Sequence, residues 1–304
     1  MKKILITGSE GFIGKKMCKF YIKNKFRVYG SYYKKKFQRV RGVKYIKCNF
    51  KKKNEISNLL KKIRPHAIFH LAAKSHPTYS FKHPLSTIDT NFNGTSHLLN
   101  CIKNKNINTK VIIAGSSAQF GIKNKSELPV NEKTQCNPEH IYGFTKILQV
   151  MIGELYHRMY GMNICSAIIF NTSGLGKNFD VFQDFCNQYK KNKSKKILVL
   201  NVGNINNKRD FLHVDDVVMA LEKIRLRGKP GKKYIISSGK LTKIKTIIDN
   251  LQKITRKKIK IIVNKKLLRN FDEKVILGNN SEIKKLGWKP KKKITEIIKD
   301  IING

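Results

Sequence analysis

The chain has 304 residues, 40% of them hydrophobic, enough for a large buried core or two cooperating domains. No apolar run approaches the roughly 18 residues a membrane helix needs, and "MKKILITGSEGFIG" reaches Gly8, Ser9 and Glu10 too early for a secretory segment, so a cytoplasmic chain is expected. The formal charge of +45 would suit a nucleic-acid binder, but the lysines spread over almost every surface segment without aromatic interleaving or zinc-finger spacing, and we read them as solvated faces whose field attracts anionic substrates.

In chain order, "KKILITG" reads as a buried strand and "FIGKKMCKFYIKNK" as a helix. "FRVYGSYY", "HAIFHLAA", "KVIIAGSS" and "NICSAIIFN" read as further strands, with a helical stretch "STIDTNFNGTSHLLNCIKN" between two of them. This alternation predicts an α/β fold around a doubly wound parallel sheet. After Asn171 the loop "TSGLGKNFD" begins a region of short elements. From about Leu241, helical stretches flank "KKIKIIVN", followed by "LGWKP" and a last helix, which we read as a smaller lobe. The six cysteines are scattered without a CxxC pair, as suits reduced, individually buried thiols.

Three groups of residues carry chemistry. Gly8, Gly11 and Gly14 fall between the first strand and the first helix, where a tight turn lets backbone approach a pyrophosphate at the helix N-terminus. About 20 residues further on, where an acid would grip the ribose of NAD, stand Lys34, Lys35 and Lys36, which would attract a 2′-phosphate; NADP(H) is expected. Tyr142 and Lys146 are one helical turn apart in "IYGFTK", and a lysine held beside a phenol lowers its pKa. With the pair Ser116 and Ser117, they suggest a proton-transfer site. His70 is expected at a strand end near the cofactor rather than on a metal, since no partner ligand has suitable spacing.

Together "TGSEGFIG", "FHLAA", "NFNGT", "AGSSAQFG" and "YGFTK" resemble the extended short-chain dehydrogenase/reductases that act on nucleotide sugars, over essentially the whole chain. "HLAAKSHPTYSFKHP", "FNTSGLGKNF", "GNINNKRDFLHVDDVV" and "GWKP" look most like the GDP-mannose branch of dehydratases and reductases, and "FNTSGLGKNFDVFQDF" followed by "RDFLHVDDVV" is closer to the reductases. The resemblance implies a Rossmann-like sheet domain over 1–171 with 211–240, and a smaller C-terminal α/β substrate-binding lobe over 172–210 and 241–304. It implies Tyr142 as acid/base, Lys146 on the nicotinamide ribose, and Ser116 on the reacting oxygen. Cofactor contacts would come from Gly8, Gly11, Phe12, Ile13, Gly14, Lys34, Asn49, Leu71, Ala72 and Ala73. Sugar-nucleotide contacts would come from Ser75, Ser80, Ser117, Asn171, Arg209 and Arg269. A homodimer built on the helix that carries Tyr142 is also implied.

The chain departs from the family pattern at His66, Asn49 and Asn270. It departs most tellingly at Ala118, where related dehydratases carry a glutamate that removes the proton beside the keto group. A methyl group neither takes nor gives a proton. The expected activity is therefore NADPH-dependent reduction of the C4 ketone of a GDP-4-keto-6-deoxyhexose. The alternatives are a GDP-mannose 4,6-dehydratase, a nucleotide-sugar 4-epimerase, and a basic RNA-binding protein on a reductase fold.

Overall fold

The computed structural model describes residues 1–33, 37–267 and 275–304. The first half contains β1 (Lys3–Thr7), α1 (Phe12–Lys23), β2 (Arg27–Tyr32), β3 (Lys44–Lys47), α2 (Lys53–Ile63) and β4 (Ala67–His70). It continues with α3 (Pro77–Lys82), α4 (Pro84–Ile88), a π-helical turn at Asp89–Asn93, α5 (Gly94–Asn104), β5 (Lys110–Ser116), α6 (Ile141–Tyr160) and β6 (Ile164–Ile169). The second half contains β7 (Asn171–Ser173), α7 (Val181–Lys191), β8 (Ile197–Val202), β9 (Lys208–His213), α8 (Val214–Arg227) and β10 (Lys233–Ile236). It ends with β11 (Leu241–Lys243), α9 (Ile244–Thr255), β12 (Lys258–Val263), β13 (Val275–Ile276), α10 (Ser281–Lys285) and α11 (Ile294–Asn303).

Seven strands form one parallel sheet in the order β10-β6-β5-β4-β1-β2-β3, the Rossmann-like doubly wound arrangement. Strands covered on both faces are mostly apolar, and all four residues of β4 and all six of β6 are buried, His70 and Ser166 among them. Alternate side chains of β1 feed opposite cores. Ile4 and Ile6 join Met17, Tyr21, Val217 and Leu221, whereas Leu5 joins Ile68, Leu98 and Leu99. In α2 the buried Ile56, Leu59, Leu60 and Ile63 recur at helical spacing, and Arg64 ends the helix in the left-handed region. Neither β3 nor α2 stood out in the sequence. Both ends of β3 are exposed lysines, so it offers no apolar run.

The helical stretch over 86–104 is not one regular helix. The π-helical turn interrupts it and carries the fully buried Asn91, and such bulges recur at functional sites. In the smaller lobe, β8 pairs in parallel with β12, and β9 pairs with β7, β11 and β13. Its separate core gathers Phe182, Phe185, Leu198, Leu200, Ile247, Leu251, Ile298 and Ile301. The "LGWKP" segment is tied to the start of α8. Trp288 Nε1 donates to the Asp216 carbonyl at 3.0 Å, and the Asp216 carboxylate accepts from the amides of Lys291 and Lys292. No helix among the described residues is long and apolar enough to cross a membrane.

Candidate active site

In an open parallel sheet, ligands settle beyond the strand ends where the winding reverses. Here that point lies between β1 and β4, whose last residues, Thr7 and His70, are partners in the ladder. The chain leaves β1 through Gly8 at φ +63°, a region that strains any residue with a Cβ; a Cβ there would also lie 2.9 Å from the backbone of Ala72. Gly11 then opens α1, with Phe12, Ile13 and the buried Gly14 in its first turn. Leu71, Ala72 and Ala73 face this turn from the end of β4, all half-buried. The cradle is narrow, made of backbone, and sits at a helix N-terminus, which fits the pyrophosphate of a dinucleotide.

The glycine turn is stitched to β2 at two points. Ser9 Oγ donates to the Ser31 carbonyl at 2.8 Å, and the Tyr33 amide donates to Glu10 Oε1 at 3.0 Å. Glu10 Oε2 is buried and has no hydrogen-bond partner among the described residues. The sequence lacks an acid at the end of β2, yet the glycine turn itself brings a carboxylate to that place. Lys34 lies outside the described residues. Asn49 is half-buried, and its side chain accepts from the Lys51 amide at 3.1 Å, bracing a local turn.

Ser116 ends β5, and Tyr142 begins α6, which His140 caps by accepting from the Gly143 amide at 2.9 Å. Helix and loop meet closely: a Cβ on Gly143 would lie 2.4 Å from the Ala118 carbonyl oxygen. Glycine at 143 therefore lets Tyr142 approach the 116–118 turn that carries Ser116. Burial pushes the Tyr142 phenol above its ordinary value, and the Ser116 hydroxyl pulls it partway back. This corrects the expectation that Lys146 depresses it. The Lys146 ammonium is 5.8 Å from the centre of the Tyr142 ring and donates to the Ala114 carbonyl and to Gln149 Oε1, each at 2.8 Å. Burial draws that ammonium down to about 7.

Behind Lys146 runs a chain of buried polar side chains. Gln149 Nε2 donates to Thr95 Oγ1 at 2.7 Å, and Thr95 contacts His70 Nε2 at 2.9 Å. His70 Nδ1 lies 3.0 Å from Thr7 Oγ1, which accepts the amides of Leu71 and Ala72. Asn91, from the π-helical turn, accepts the Lys74 amide and donates to Thr145 on α6. None of Thr7, Thr95, Gln149 or Glu10 was singled out in the sequence. The signal was present for some, since Thr95 closes the quoted "NFNGT" and Gln149 stands three residues after Lys146, on the same helix face.

The remaining expected contacts are less uniform. Ser80 is fully buried; its hydroxyl donates to the Pro77 carbonyl and accepts the Tyr142 amide, so it braces the start of α6 instead of facing a ligand. Ser75 is exposed, and Ser117 is 7% exposed beneath the turn. Asn171 starts β7 with a buried Nδ2 that has no partner among the described residues. Arg209 Nη1 donates to the Lys208 carbonyl, while its neighbour Asp210 faces the other way into Ser238, Gly239 and Gly278. Arg269 lies outside the described residues.

A glycine turn at the switch point of a parallel sheet, with a serine, a tyrosine and a lysine converging beyond β5, defines a Rossmann-type short-chain dehydrogenase/reductase of the epimerase/dehydratase kind. The family model for GDP-mannose 4,6 dehydratase matches residues 5–301, and the chain belongs to that family. It is 26% identical over 242 residues to GDP-6-deoxy-D-mannose reductase of Pseudomonas aeruginosa, covering 79% of this chain and 80% of that protein. It is 24% identical to GDP-mannose 4,6 dehydratase of Drosophila melanogaster, covering 100% of this chain and 86% of that one. Among solved structures, RMD from Pseudomonas aeruginosa complexed with NADPH superposes with a TM-score of 0.85 at 22% identity, covering 100% and 97% of the two chains. UDP-glucose 4-epimerase from Thermotoga maritima with UDP-glucose superposes at 0.88, also at 22% identity, covering 99% and 97%.

Proposed function

We propose that the protein reduces the C4 ketone of a GDP-4-keto-6-deoxyhexose with NADPH, giving a GDP-6-deoxy-mannose type product. A nicotinamide cofactor, when bound, supplies the hydride. The glycine turn and Leu71–Ala73 would hold its pyrophosphate and adjoining ribose, and Lys146 its nicotinamide ribose. Ketone reduction then asks the protein for a hydrogen bond to the carbonyl oxygen and a proton for the alkoxide that forms. Ser116 supplies the first and Tyr142 the second. The Tyr142 phenol, raised by burial, stays protonated at neutral pH, which suits a proton donor. Asn171 and Arg209, and Arg269 outside the described residues, would meet the diphosphate, with the exposed Ser75 a further contact.

The observation that carries the reading is Ala118, packed against Gly143 beside Tyr142 with no ionisable group to offer. Dehydration needs a base beside the ketone, and this position supplies none. The similarity to a GDP-6-deoxy-D-mannose reductase adds weight. The rival reading is a 4,6-dehydratase, favoured by the family model itself. A spectrophotometric NADPH-oxidation assay against a panel of 4-keto-6-deoxy nucleotide sugars tests the choice. Consumption of NADPH with a GDP-4-keto-6-deoxyhexose is expected; a 4-keto product formed from GDP-mannose without added NADPH would sink the reductase reading.

For the cofactor, the three lysines at positions 34–36 and the NADPH-bound neighbour support NADP(H). The second reading is NAD(H), favoured by the Glu10 carboxylate at the end of β2, which would repel a 2′-phosphate. For assembly, we read the exposed stripe Phe144, Met151, Leu155 and Met159 on α6 as the surface of a homodimer, because apolar side chains so aligned bury favourably against a second copy.

A further inference from the structure

Donor and acceptor accounting fixes every proton in the chain behind Lys146. Thr7 Oγ1 accepts two amides, from Leu71 and Ala72, so its own hydrogen goes to His70 Nδ1. A neutral ring with an accepting Nδ1 carries its hydrogen on Nε2, and that hydrogen goes to Thr95 Oγ1. Thr95 also accepts from Gln149 Nε2, so its hydroxyl donates to the Asn91 carbonyl at 2.6 Å. A lysine ammonium can only donate, which turns the Gln149 amide oxygen toward it. The result is a directed, fully satisfied series in which Thr7, His70, Thr95 and Gln149 are each at most 1% exposed. A proton added to His70 would leave an N–H facing a hydroxyl whose lone pairs are both in use.

We propose that Gln149, braced by Thr95 and a neutral His70, is a positioning residue that holds the Lys146 ammonium at a fixed height beneath the nicotinamide ribose. Two of the three N–H groups of Lys146 are committed, one to Ala114 and one to Gln149, and one remains for a ribose hydroxyl. The brace begins on the Thr7 hydroxyl, which also fixes the Leu71 and Ala72 amides of the cofactor cradle. Cradle and lysine are therefore set by one continuous series of side chains. Removing the amide oxygen takes a stabilising partner from a buried ammonium, whereas a carboxylate in its place adds a stronger one. This inference rests on the assignment of Lys146 to the nicotinamide ribose.

The test is cofactor affinity by fluorescence titration over about pH 6 to 9, a window around the shifted lysine. It uses NADPH or NADH, whichever the wild type binds more tightly, and compares wild type, Gln149→Met and Gln149→Glu. The ammonium is the binding form, so affinity falls as pH rises through its titration. Gln149→Met should weaken binding about tenfold at neutral pH, the scale of one lost charge-assisted hydrogen bond, and move the fall to lower pH. Gln149→Glu should move it to higher pH. Gln149→Leu replaces Gln149→Met if the latter does not fold. Shifts of opposite sign support the proposal. Unmoved curves, shifts in one direction only, a lower melting temperature with an unchanged curve, or a wild type that binds neither cofactor would overturn it. Absent turnover with every 4-keto sugar would instead count against the reductase reading and leave the binding curves to decide the role of Gln149.

Discussion

The Lys146 ammonium stands 5.8 Å from the centre of the Tyr142 ring and gives its hydrogen bonds elsewhere, to Ala114 and Gln149. The neighbour that draws the phenol back toward its ordinary value is the Ser116 hydroxyl. In this arrangement Tyr142 is a half-buried acid whose raised phenol keeps its proton, and the lysine is held near it as a separately mounted charge. The division of labour matches a reaction that ends in protonation of an alkoxide.

Tyr142→Phe removes that proton and little else. Turnover should fall by about 10²–10⁴, the usual worth of a positioned acid, while cofactor affinity stays within about twofold. Steady-state NADPH oxidation and fluorescence titration measure the two. A variant with near wild-type turnover would remove Tyr142 from the chemistry.

Ala118→Glu places a carboxylate in the turn that Tyr142 packs against. In deuterium oxide the wild type should leave the carbon beside the ketone unlabelled, and the variant should label it. Mass spectrometry of the recovered sugar nucleotide reads the outcome. Label incorporated by the wild type would mean that another base serves the site.

Glu10→Gln neutralises the carboxylate at the end of β2. The preference for NADPH over NADH should rise roughly tenfold, the scale of one like-charge repulsion relieved near a protein surface. Parallel titrations with both cofactors give the ratio, and an unchanged ratio would show that Glu10 does not sense the 2′ position.

Burial, reinforced by the Lys146 charge, holds the His70 imidazole down at about 3. The unfolded chain takes up this proton near pH 6.5, whereas the native state does not until about 3, so stability falls as pH drops through that window. The shift corresponds to about 4–5 kcal/mol. Replacing His70 with Gln should flatten the decline of melting temperature between those pH values. An acid limb as steep as the wild type's would place the linkage on other groups.

Met151→Lys combined with Leu155→Glu should convert a dimer to a monomer in sedimentation velocity, with a melting temperature lowered only by the interface that is lost. A wild type that sediments as a monomer would leave the α6 stripe without the second copy assigned to it.

The sheet was legible in the sequence because its central strands are largely apolar runs, and the glycine turn because Gly8, Gly11 and Gly14 fall between a strand pattern and a helix pattern. Lysine-rich β3 gave no such signal. Tyr142 and Lys146 could be read from spacing and Ser116 from the family resemblance, but the direction in which Lys146 donates could not. That direction depends on Gln149, Thr95 and His70, which come from three separate elements and meet only after the sheet is assembled. Ser80 was expected as a ligand contact because its loop resembles the sugar-contacting loop of the family, and burial assigns its hydroxyl to the α6 start instead. Glu10 escaped notice for a similar reason: the acid that counts at the end of β2 comes from 23 residues upstream of Tyr33.

The edge strand β10 reaches the main sheet only after the chain has passed through β7, β8 and β9 of the smaller lobe. All six residues of its neighbour β6 are buried, and the Phe170 amide bonds the Ile236 carbonyl. During synthesis, then, a fully buried and mostly apolar strand waits with an open edge until more than sixty further residues have emerged. A polypeptide cut after Asn171 would keep the nucleotide cradle in its sequence and lose the strand that shields β6. The main sheet is thus closed only by a strand that follows the lobe in the chain, and the two halves of this protein are not separable products.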